Sequence, residues 1–91
     1  MTDFLDSKSG RLDKWLFHAR LCRTREVAQQ VIEKGKVRLN GARVQKPGHA
    51  LRPGDILTLA LGGTVRVVKV QALAERRGGA EEASRLFETV E

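Results

Sequence analysis

The 91-residue chain has no tyrosine, one cysteine, two histidines and four aromatic side chains, Phe4, Trp15, Phe17 and Phe87. With Cys22 alone, neither an intramolecular disulfide framework nor a zinc site built on several thiolates is available. So few histidines and no tyrosine leave little for general acid–base or nucleophilic work, and no Ser-His-Asp order or metal-ligand spacing occurs. The chain therefore reads as noncatalytic and without a cofactor. Neither GxGxxG nor GxxxxGK followed by Ser or Thr is present, so the glycine pairs at 62–63 and 78–79 are not phosphate-cradling loops. Apolar runs stop far short of the roughly 20 residues that span a bilayer, and Asp3 and Asp6 stand where a signal peptide would be positive. The expected setting is a reducing cytoplasm, with no membrane and no small-molecule substrate. None of the four aromatics falls on an expected strand, which disfavours a base-stacking platform for single-stranded nucleic acid.

Positive charge is what the chain has in excess, and it is unevenly placed. Between Lys8 and Pro53, twelve basic residues face only Asp13, Glu26 and Glu33. From Gly54 onward five bases meet six acids, so the net charge of +6 is concentrated in the first half. A protein that docks a polyanion with one face carries this asymmetry.

The length is that of one domain. Residues 1–10 are polar and read as a flexible N-terminal lead-in, 11–75 as the main folded unit, and 76–91 as a linker with a short helix. Leu12, Trp15, Leu16 and Ala19 recur at helical spacing, with Arg11, Lys14 and His18 on a flank. Thr24 is a suitable N-cap for a second helix with Val27, Ala28, Val31 and Ile32 inward, ending at Gly35. Arg23 and Arg25 then flank the positive pole of that helix, a combination suited to phosphate. Lys36 to Leu39 and Ala42 to Val44 alternate around Asn40-Gly41, the signature of a hairpin with a type I′ turn. After a loop holding Pro47-Gly48 and Arg52-Pro53-Gly54-Asp55, two more strands follow, Ile56 to Leu61 and Thr64 to Val70, joined by Gly62-Gly63. Ala83, Leu86, Phe87 and Val90 again show helical spacing, approached through a flexible Arg76-Arg77-Gly78-Gly79. The class is α+β, with two N-terminal helices packed on a small, mainly antiparallel sheet of about four strands and a short C-terminal helix.

Arg11-Leu12-Asp13-Lys14-Trp15-Leu16, Thr24-Arg25, Gly35-Lys36-Val37, Asn40-Gly41 and Lys46-Pro47 resemble, in order and spacing, the S4-type (alpha-L) RNA-binding domain over about residues 11–61. With the later strand and the 81–88 segment, the chain from Arg11 onward more narrowly resembles the ribosome-associated heat shock protein 15 family. That resemblance implies a noncatalytic helix-helix-hairpin surface for structured RNA, with 23S-type rRNA of the large ribosomal subunit as partner, tRNA as a further one, and a stress or heat-shock setting. The family's basic C-terminal extension has no counterpart before Glu91, so RNA docking is expected to stand without it, while rescue of stalled subunits carrying peptidyl-tRNA is less securely implied.

Residue by residue, the implied surface uses Arg11 and Lys14, then Arg23, Thr24 and Arg25, Gln29 one turn beyond, Lys36, Arg38 and Asn40 from the hairpin, and Arg43 and Lys46 at its edge. Arginine grips phosphate bidentately, lysine acts as a point charge, and Thr24, Gln29 and Asn40 suit 2′-hydroxyls or base edges. Asp13 is expected to orient cationic neighbours. Plainer roles stand beside these: Asn40-Gly41 is a turn device first, Trp15 belongs to the core, His18 either touches phosphate or is a partly exposed neutral imidazole, and Cys22 fills space between helices. Other readings remain open: an RNA-binding module serving a separate rRNA- or tRNA-modifying enzyme, a helix-turn-helix DNA binder, or a protein docked through its acidic last helix. Against DNA stand Glu26 and Glu33 on the outer face of the second helix. A monomer is expected.

Overall fold

A computed structural model describes residues 10–90; most of the expected lead-in, residues 1–9, lies outside the described residues. The elements are α1 (Leu12–His18), α2 (Arg25–Glu33), β1 (Val37–Leu39), β2 (Ala42–Val44), β3 (Ile56–Leu61), β4 (Thr64–Val70), α3 (Ala80–Ser84) and β5 (Phe87–Thr89). The α+β class stands, and the antiparallel sheet has five strands, ordered β2-β1-β3-β4-β5.

The apolar stripe of α1 is fully inward: Leu12, Trp15 and Leu16 have no exposed surface, and Ala19 has 2%. Trp15 is a core residue whose one polar atom is satisfied, because its indole N–H donates to the Ala72 carbonyl at 2.8 Å. From α2 only Ala28 and Ile32 are buried; Val31 is half-buried and Val27 exposed, so the buried stripe is narrower than its spacing predicts. These side chains meet Val37, Leu57, Leu59, Val68 and Val70 on one face of the sheet.

Local chemistry sets the ends of α2. The Thr24 hydroxyl accepts from the Val27 N–H at 3.0 Å, one of the amides that a helix start leaves open. At the other end Gly35 sits at φ +77 and donates to the Ile32 carbonyl, while Lys36 N–H reaches Val31, the paired bonds of a Schellman end. Thr24→Ala is expected to cost about 1 kcal/mol, lowering the thermal midpoint by roughly 4–8 °C in calorimetry. An unchanged midpoint would remove the cap from the account.

The hairpin turn is the one its sequence specifies, with Asn40 at φ +51 and Gly41 at φ +88. The C-terminal segment departs from expectation. Its helix stops at Ser84, and Phe87–Thr89 pairs with β4 through Val68↔Thr89, Lys69↔Glu88 and Val70↔Phe87. Pairing satisfies the backbone along a β4 edge that would otherwise be open, and Phe87 meets Trp15 edge-on at 6.3 Å. Arg76 to Gly79, expected to be a flexible approach, is tied to α1: Arg77 Nε donates to the Phe17 carbonyl at 3.0 Å and Arg20 Nε to the Gly78 carbonyl at 2.8 Å.

Candidate nucleic-acid interface

The interface is organised around one buried carboxylate. The loop over residues 45–51 closes on the start of α1, where Leu12 N–H donates to His49 and Asp13 N–H to Pro47, both at 3.0 Å. Asp13 is fully buried beneath it. Its Oδ1 accepts from Arg11 Nε at 3.1 Å and from the Lys14 N–H at 2.7 Å; its Oδ2 accepts from Arg11 Nη2 at 3.0 Å and from Gln29 Nε2 at 3.1 Å. Burial alone would raise this carboxyl. Hydrogen bonds from Arg11, Gln29 and Lys14, with the Arg11 charge, outweigh burial and hold it below its ordinary value of 3.8. Asp13 therefore has the orienting role expected of it, and it fixes Arg11 and Gln29 and joins α1 to α2. Gln29 spends an amide N–H inward, whereas the Arg11 side chain remains 48% exposed.

Lys14 lies half-buried on the flank of α1, and Arg23, Thr24 and Arg25 are exposed at the start of α2. The His18 imidazole is held below its ordinary value of 6.5, first by burial and then by the Lys14 and Arg25 charges. The Ala74 carbonyl opposes that downward shift. His18 is thus a buried, neutral imidazole and not the partly exposed one expected; with 7% of its surface accessible it is no contact for phosphate.

The hairpin presents the second group. Val37 and Val44 point into the core, so pleat alternation sends Arg38 and Arg43, directly opposite each other in the ladder, to the uncovered side of the sheet. Thr58 lies beside Arg38 on that side. The Arg43 stem packs over Gly35 at the end of α2, close enough that an added Cβ would lie 3.2 Å from it. Lys36 and Lys46 are exposed nearby. Asn40 is engaged with the protein: its Oδ1 accepts from Ile56 N–H at 2.9 Å and its Nδ2 donates to Asp55 at 3.2 Å. The turn role accounts for this residue's polar atoms.

The candidate residues come from two parts of the chain, joined where the loop after Lys46 closes on Leu12 and Asp13. Arg11, Lys14, Arg23, Thr24, Arg25 and Gln29 belong to the helices; Lys36, Arg38, Arg43 and Lys46 belong to the hairpin and its edge, with Asn40 at its tip. Among the described residues the only ion pairs are Arg11–Asp13, Arg76–Glu82 and Arg85–Glu81. Seven candidate cations, Lys14, Arg23, Arg25, Lys36, Arg38, Arg43 and Lys46, therefore have no carboxylate partner there.

Two short helices, a linked hairpin and this cationic surface define a known class: residues 10–57 match the S4 domain model, and the chain belongs to the S4 domain family. Within it the chain is similar to heat shock protein 15 of Escherichia coli strain K12, 46% identical over 78 residues that cover 86% of this chain and 58% of that protein. It thus spans less than two thirds of that relative's length. It is also 36% identical to the RQC P-site tRNA stabilizing factor of Listeria monocytogenes, covering 85% of this chain and 82% of that one. The trimeric structure of Vibrio cholerae heat shock protein 15 superposes with a TM-score of 0.83 at 38% identity, over 88% of this chain and 80% of that chain.

Proposed function

We propose that this chain is a noncatalytic, cytoplasmic RNA-binding protein that docks structured RNA, 23S-type rRNA of the large ribosomal subunit, through the cationic surface of its helix pair and hairpin. The observation that carries the reading is the set of seven candidate cations without a carboxylate partner among the described residues, including Arg38 and Arg43 facing one another across the ladder. Like charges placed directly opposite cost a sheet stability, and a polyanion removes that cost. Gln29, bonded to Asp13, holds α2 against α1 so that Lys14, Arg23 and Arg25 meet RNA as one rigid surface.

Membership of the S4 family and likeness to heat shock protein 15 support the ribosome as the setting. The relative named for P-site tRNA makes tRNA the second RNA in the proposal. The trimeric Vibrio cholerae relative gives the expected monomer no support, and sedimentation velocity of the free chain decides its copy number.

Cosedimentation with free large subunits, free small subunits and joined ribosomes, at low and moderate salt, tests the assignment. Salt-sensitive pelleting with the large subunit is expected. Pelleting with small subunits alone would transfer the site to the other particle, and none with any of them would remove the ribosome from the reading.

A further inference from the structure

Two arginines outside that surface cross between the end of α1 and the loop before α3. Arg20 stands at φ +61, the left-handed position that glycine fills at the matching end of α2. For a non-glycine residue this conformation carries a backbone cost, and such costs collect at functional positions. Arg20 spends its Nε on the Gly78 carbonyl, while Arg77, reaching the opposite way, spends its Nε on the Phe17 carbonyl and lays its guanidinium over the Phe17 ring at 4.6 Å. Each stem is therefore fixed, and the four Nη–H donors of each fork remain outside these bonds. Neither guanidinium pairs with a carboxylate of the described residues. Arg23 follows Arg20 by three residues, and Arg76 precedes Arg77, with a side chain 75% exposed and a 3.8 Å contact with Glu82 that is a weak surface pair. Gly79 N–H is already taken by Glu82 Oε1 at 3.1 Å and the Glu82 side chain packs on Gly78, so the guanidinium forks are the donors this loop offers a phosphate.

We propose that the Arg20–Arg77 clasp is a further phosphate-binding site, which takes a backbone phosphate of the docked RNA and carries the footprint from the start of α2 around the end of α1 onto the 76–79 loop. It rests on the RNA-binding reading above. Arginine forks already held at the stem lose little freedom on gripping phosphate bidentately, which is what distinguishes a built site from a mobile surface charge. Residue types alone do not reveal it, because Arg20 and Gly78 are brought together only by the fold.

The test measures binding to large-subunit rRNA across a salt series for the full chain, Arg20→Asn, Arg20→Gly and Arg25→Ala, with thermal midpoints alongside. Asparagine and glycine both accept the left-handed backbone, so a variant that keeps its midpoint reports on the side chain alone. Loss of the contact is expected to weaken binding about fivefold and to make the log–log salt slope shallower by about 0.7–0.9. Full affinity and slope in the Arg20 variants, with Arg25→Ala weakened, would overturn the clasp and leave the basic face standing. Wild-type binding by every variant would overturn the clasp and take Arg25 out of the site, whereas no salt-sensitive binding by the full chain itself would sink the RNA-binding reading. Titration with inorganic phosphate at constant ionic strength separates the sources: an Arg20 effect on phosphate binding without one on RNA would also overturn the proposal.

Discussion

Asp13→Ala is expected to destabilise the fold by about 2–4 kcal/mol, the range for removing one partner of a buried, hydrogen-bonded charge. The cost arises because Arg11, Gln29 and the Lys14 N–H all converge on this carboxylate, and because Gln29 is the polar tie between the two helices. Asp13→Asn, with the same shape and no charge, is expected to recover part of the loss. The pH dependence has a definite sign. Because the folded-state pKa is depressed, the stabilising contribution is fully present above the ordinary value of 3.8 and is lost as pH falls through the lower folded value. Urea titrations below pH 4 are expected to show this acid-linked loss in the wild type and a smaller one in Asp13→Asn. Equal acid sensitivity in both would mean that the carboxylate is not held as described.

The double change Arg23→Ala with Arg25→Ala is expected to lower affinity for large-subunit rRNA about 30-fold, at about 1 kcal/mol per contact, and to make the salt slope shallower by about 1.4–1.8. Both side chains are exposed and neither is paired with a carboxylate of the described residues, so the melting midpoint should stay within a few degrees of wild type. An unchanged slope with the fold intact would show that the start of α2 does not touch RNA. Weakening confined to one RNA sequence would indicate base readout in place of phosphate contact.

What could be read in the sequence was local. Thr24, Gly35 and Asn40-Gly41 each act within a few residues of themselves, so a cap, a helix stop and a turn were visible as residue types in order. The apolar stripe of α1 needed only its spacing. Three features depend on distant partners and were not visible. The Ala83-Leu86-Phe87-Val90 spacing satisfies a helix, but the open edge of β4 claims Phe87–Thr89 as a strand. Arg20 takes a left-handed position that residue type argues against, and its bond to Gly78 joins it to a loop 58 residues away. The orienting role of Asp13 was legible, but not that Gln29, 16 residues on, would be among the groups it holds. For the candidate site, residue types identified the cations and the fold supplied the Asp13 junction that ties Arg11, Gln29 and the loop after Lys46 together.

The most direct test of the central claim is the affinity of the purified chain for large-subunit rRNA measured against monovalent salt. Docking through about four to six phosphates predicts that log K falls linearly with log salt, with a slope of roughly −3 to −5. A slope near zero, at an affinity that salt leaves unchanged, would contradict a surface built on unpaired cations.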